Sequence, residues 1–65
     1  MRGHVATFDE HVGVGTIVGD DGVERFFHCT QIADGSRTIV VDDVVTFDLE
    51  PGHLGRYEAV RVSSE

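Results

Sequence analysis

Side chains able to do covalent or metal chemistry are few here: four histidines, one cysteine and twelve carboxylates in 65 residues. His4, His11, His28 and His53 are scattered over strands and loops without ligand spacing. Cys29 has no second thiol to join it, so neither a disulfide nor a metal site is expected, and a lone small thiol reads as a buried apolar residue. No nucleophile, base and orienting group stand together, which argues against an enzyme and leaves no expectation of a cofactor or a small-molecule substrate. What remains is recognition by surfaces, and charge narrows its kind. Twelve acids face five arginines and no lysine, for a formal net charge of −7. Binding of nucleic acid by counterion release is disfavoured by that balance, while stacking of bases on aromatic rings is not.

The stretch Val12-Gly13-Val14-Gly15-Thr16-Ile17-Val18 organises the rest. It has the branched side chains of a strand, yet two glycines interrupt it, and glycine inside a strand weakens it unless a backbone or ligand must come close or the sheet must bend. Gly13 and Gly15 share the parity of Ile17, so they can serve the curl of a small barrel.

Around this stretch the chain divides into short strands. Gly3 to Phe8 is the first, with Val5 inward and His4, Ala6 and Phe8 on the other parity. Asp9-Glu10-His11 is a turn, and Gly19-Asp20-Asp21-Gly22 is a hairpin signal between the second strand and a third, Val23 to His28. Cys29 to Ala33 fits one helical turn capped by Thr30, with Ile32 toward the core. After the loop Asp34-Gly35-Ser36-Arg37, Thr38 to Val41 leads to a fourth strand, Val44 to Glu50, whose Val45, Phe47 and Leu49 alternate with polar residues. Pro51-Gly52-His53-Leu54-Gly55 turns the chain into a fifth strand, Arg56 to Val62. There Val60 and Val62 share one parity and Tyr57, Ala59 and Arg61 the other, and Ser63-Ser64-Glu65 reads as a frayed tail.

Five short strands in one domain predict an all-β, antiparallel, closed or partly closed barrel, with an SH3-like barrel as the competing architecture. The N-terminus lacks an export signal and no apolar run is long enough to span a bilayer, so a cytoplasmic location and no membrane association are expected.

In order and spacing, several segments resemble the cold-shock domain, a five-stranded OB-fold barrel that binds single-stranded RNA and DNA. Gly3-His4-Val5-Ala6-Thr7-Phe8-Asp9 resembles the family's Gly-x-Val-Lys-Trp-Phe-Asn, and Val12-Gly13-Val14-Gly15-Thr16-Ile17 its Lys-Gly-Phe-Gly-Phe-Ile. Arg25-Phe26-Phe27-His28-Cys29 falls on Val-Phe-Val-His-Phe, Gly35-Ser36-Arg37-Thr38-Ile39 on Gly-Phe-Arg-Thr-Leu, and Ala59-Val60-Arg61-Val62 on Ala-Val-Asn-Val. The resemblance implies a nucleic-acid-binding face on which Phe8, Phe26 and His28 keep the family's platform, Phe8 reading also as a half-buried barrel residue; Arg37, and Tyr57 as a ring exposed near the same rim, are further candidates. It also implies that Thr7, Val14, Thr16, Cys29 and Ser36 stand where rings would be, and Ala6 and Val12 where lysines would be. Each stack on an aromatic contributes about 1–3 kcal/mol, so weakened binding of single strands is expected. The alternative is a barrel that has exchanged stacking for an apolar patch around Val14, Phe26 and Cys29, meeting a protein partner or a second copy as a homodimer.

Arg25 takes a valine's place at an inward position. It is expected at the barrel end with its head in water, or paired with Glu24 or Glu58; a buried pair would show as a loss above about 3 kcal/mol on truncation.

Overall fold

The hairpin signal translates directly into structure. In the computed structural model, which describes every residue except Arg37, His53 and Leu54, Gly19 and Val23 close a three-residue loop through Gly19 N–H to the Val23 carbonyl at 3.1 Å. Gly22 N–H bonds the Gly19 carbonyl at 2.9 Å, and Gly22 takes φ +78°, the left-handed position that ends such loops and that glycine fills without strain. The roles expected above for Arg37, His53 and Leu54 lie outside the described residues.

Five strands follow: β1 (Arg2–Asp9), β2 (Val14–Gly19), β3 (Glu24–His28), β4 (Val44–Pro51) and β5 (Tyr57–Ser64). They pair antiparallel in the order β3-β2-β1-β4-β5. The ends of that order meet: β3 lies against β5, Ile32 makes a parallel bridge to Val62, and Ala33 N–H bonds the Val62 carbonyl at 2.7 Å. The sheet thus curls into the expected barrel around Val5, Ile17, Phe27, Ile32, Val45, Phe47, Ala59 and Val62. Gly15 shows why its position takes no side chain. A methyl group there would run into the Thr7 carbonyl of β1 and come 2.8 Å from the Phe27 ring. What lies tight against β2 is the barrel itself.

Three departures from simple period two shape the faces. First, Val5 pairs with Ile17 and Thr7 with Thr16, so Ala6 is an extra residue in β1. Such a bulge reverses the parity beyond it. Phe8, expected on the parity opposite Val5, therefore opposes Gly15 and packs on the core, its ring stacked on that of Phe27 at 5.9 Å and 10°.

Second, Phe47 of β4 faces two residues of β5, because Thr46 pairs with Ser63 and Asp48 with Val60. Arg61 absorbs the extra residue at φ +51°, and its guanidinium reaches Asp48 at 2.7 Å and Glu50 at 2.9 Å. In consequence Ala59 and Val62, three apart, both enter the core, which the expected division of β5 into Val60 with Val62 against Ala59 does not allow.

Third, β5 runs to Ser64, where the tail Ser63-Ser64-Glu65 is expected to fray. Ser63 and Ser64 pair with Thr46 and Val45, Glu65 N–H bonds the Val44 carbonyl at 3.0 Å, and the Glu65 carboxylate meets Arg2 at 2.5 Å. Unsatisfied backbone along β4 gives the tail something to pair with, which composition alone cannot reveal.

Arg25 is inward, opposite Ile17, and sits at the barrel end. Its partner is neither Glu24 nor Glu58. The hairpin folds Asp21 back over it, and the two meet in a two-pronged pair at 2.6 and 3.2 Å with the arginine side chain only 12% exposed. The guanidinium hydrogen bond and a backbone bond from Val23 hold the Asp21 carboxyl below its ordinary range. Arg25→Ala should lower unfolding stability in urea by about 1–3 kcal/mol, the worth of hydrogen bonds to a charged group together with a packed stem. A midpoint equal to wild type would show that water replaces the pair without loss.

Candidate nucleic-acid interface

The outward parity of the β2–β3 ladder decides what this surface offers. Val14 pairs with His28, Thr16 with Phe26, and the β1 bulge turns Thr7 out beside Thr16. One face thereby gathers Thr7, Val14, Thr16, Phe26 and His28, five of the expected binding residues. Of these, Phe26 alone carries a benzene ring, and it is 58% exposed.

The two threonines form a polar ladder. Thr16 Oγ1 donates to Glu24 Oε2 at 2.9 Å and lies 2.8 Å from Thr7 Oγ1. A hydroxyl has one proton, so with Thr16 donating to the carboxylate it is Thr7 that donates to Thr16. The positions implied to have lost rings have gained a hydrogen-bonded chain ending in a carboxylate, which repels phosphate. From sequence Glu24 is weighed as a partner of Arg25 and not as part of this face. The signal was available in the i, i+2 parity of Glu24, Phe26 and His28, which places the acid on the same face.

His28 is committed locally. Its Nδ1 accepts from Thr30 N–H at 3.3 Å and lies 3.0 Å from Thr30 Oγ1, so His28, not Thr30, caps the 3-10 turn Cys29–Gln31. With Nδ1 accepting from backbone, the neutral ring keeps its proton on Nε2, the nitrogen left to donate to a ligand. Cys29 packs on the core, and a methyl group at Gly13 would lie 2.9 Å from its sulfur, so it adds little to an apolar patch with Val14 and Phe26. Ser36 is turned into its own loop: its hydroxyl donates to the Thr38 carbonyl at 3.0 Å and its N–H bonds Asp34 at 2.9 Å.

Tyr57, at the start of β5, is 59% exposed. It lines a groove of about 580 Å³ together with Phe26 and Glu24. Of the five arginines in the sequence, Arg2, Arg25 and Arg61 are held in ion pairs and Arg37 is outside the described residues; Arg56, which lines the same groove, makes no ion pair among the described residues. Sequence reading did not single out Arg56. Among the described residues no group of three or more His, Cys, Asp or Glu is placed to hold a metal ion, and no helix is long and apolar enough to cross a membrane.

Comparison with known proteins places this geometry. A sequence profile of the 'Cold-shock' DNA-binding domain matches residues 1–64. The chain is 38% identical over 56 residues to the cold shock-like protein of Thermotoga maritima, covering 85% of each. It is 39% identical over 64 residues to cold shock protein 1 of Arabidopsis thaliana, of which it spans only 21%. Among solved structures, Drosophila Unr CSD456 superposes with a TM-score of 0.80 at 29% identity, over 98% of this chain and 26% of that one.

Proposed function

The chain belongs to the cold-shock domain family, and from that premise we propose that it holds single-stranded RNA or DNA on the outer face of β1 to β3, with affinity lowered by the loss of stacking rings. Its role is non-catalytic: by occupying unpaired bases it opposes secondary structure in the strand. The observation that carries this reading is the face itself, where Thr7, Val14, Thr16, Phe26 and His28 converge on adjacent strands with a single exposed benzene ring among them. Phe26 offers the stack and His28 Nε2 the hydrogen bond to a base or phosphate.

Magnitudes support weak binding. A base stacked on an aromatic is worth about 1–3 kcal/mol, and each 1.4 kcal/mol is roughly tenfold in affinity. With Thr7, Val14 and Thr16 in place of rings, three such stacks are missing from this face, a loss on the order of a hundredfold or more. Electrostatics does not restore it, because the chain carries −7 overall and a carboxylate stands at the end of the threonine ladder.

Titrating a fluorescently labelled pyrimidine-rich oligonucleotide at low salt tests the proposal. Saturable binding is expected with wild type, and Phe26→Ala, on an exposed side chain whose loss leaves the core intact, should abolish it. A flat wild-type titration into the high micromolar range would sink the reading for single strands.

A further inference from the structure

The chain has five aromatic residues, Phe8, Phe26, Phe27, Phe47 and Tyr57. Phe27 and Phe47 are buried and Phe8 is packed against Phe27, which leaves Phe26 and Tyr57 as the exposed rings. Both line one groove, between β3 and the start of β5, and the arginine without an ion pair among the described residues, Arg56, lines it too. Three independent features thus converge: the exposed rings, the available guanidinium and a cavity of about 580 Å³, within the size range of small-ligand sites.

Resting on the single-strand reading above, we propose that the binding track of this chain leaves the β2–β3 face at Phe26 and ends in this groove, where one unpaired base lies between Phe26 and Tyr57 and Arg56 meets its phosphate. Groove and occupant match in shape and chemistry. β3 and β5 are the two ends of the sheet order, so the groove runs between two strand edges, which carry backbone donors and acceptors. A nucleobase is planar with polar edges, so its faces suit the two rings and its edges suit the strand edges. The phosphate attached to it is drawn to Arg56. Glu24 and Glu58 also line the groove and limit how much anionic backbone it tolerates, which favours one base over a longer run of strand. The missing rings of β2 are therefore partly replaced from the other side of β3, by a residue at the entry of β5.

The sequence supplies its own reporter. Tyr57 is the sole tyrosine and there is no tryptophan, so intrinsic fluorescence comes from this groove. Adding a short unlabelled oligothymidylate should quench that emission, saturating with the binding curve of the labelled strand, while an abasic strand of equal length should not. With the labelled strand, Tyr57→Ala should weaken binding about 5- to 100-fold, the range of one lost stack, and Tyr57→Phe should leave it near wild type. Arg56→Gln should flatten the dependence of log affinity on log salt by about 0.7. Wild-type binding with unchanged tyrosine emission and unaltered affinity in Tyr57→Ala would overturn the groove assignment alone. No wild-type binding at all would overturn it together with the single-strand reading on which it rests.

Discussion

Gly15→Ala is expected to lower stability by about 2–4 kcal/mol, a drop in thermal midpoint on the order of 10–20 °C for a domain of this size. Two effects oppose each other. Alanine restricts the unfolded chain, which by itself would add about 0.5–1 kcal/mol to stability. Against that, the new methyl group would meet the Thr7 carbonyl, a backbone atom fixed by the β1–β2 ladder, and the ring of Phe27 at 2.8 Å. Phe27 has nowhere to retreat, since it is buried and already stacked on Phe8. Overcrowding therefore wins, and in a 65-residue chain the loss is a large part of the whole. Gly22→Ala is the natural comparison. There a methyl group would meet nothing within 4 Å and the only penalty is the positive φ of +78°, so about 1 kcal/mol should be lost. Urea unfolding of both variants ranks them. A Gly15→Ala midpoint at or above that of Gly22→Ala would mean that the barrel does not close as tightly at β2 as the structure has it.

Local signals carried most of the fold. Strand positions, the three-residue hairpin and the alternation of Val45, Phe47 and Leu49 are set by residues next to one another, so they could be read in order along the chain. What could not be read were the bulges. Nothing in Val5-Ala6-Thr7 announces that Ala6 drops out of the ladder; the register of β2 and the backbone of Asp42 and Asp43, which bonds Val5 on both sides, make that choice from a distance. The same limit turned Phe8 half-buried against the core and brought Ala59 inward with Val62.

For the interface, the residue-by-residue resemblance and the parity of β2 and β3 name Thr7, Val14, Thr16, Phe26 and His28, which the ladder sets on one face. Pairings between side chains were the hidden part. That Thr16 would donate a hydrogen bond to Glu24, that His28 would cap the following turn, and that Arg25 would find Asp21 across a hairpin all depend on cross-strand and turn distances. Parity fixes a side, not a partner.

On the proposal that missing rings lower affinity, restoring them should raise it by a large factor. The double variant Val14→Phe, Thr16→Phe places two rings on the outward parity of β2, opposite His28 and Phe26. Aromatic pairs across a ladder contribute roughly 0.2–1 kcal/mol, so the fold should accept them. The threonine ladder is lost, but Thr7 is exposed and Glu24 lies at the surface, so water replaces their hydrogen bonds at little cost. If each new ring takes a base at about 2 kcal/mol, affinity for an oligothymidylate should rise on the order of a hundred- to a thousandfold over wild type. The gain should persist at moderate salt, because stacking does not depend on counterion release, whereas an arginine added to the same face would lose its benefit there. An affinity unchanged from wild type in a folded double variant would refute the stacking argument. It would also transfer the proposed weakening to the acidic surface, of which Glu24 is the member bonded to Thr16.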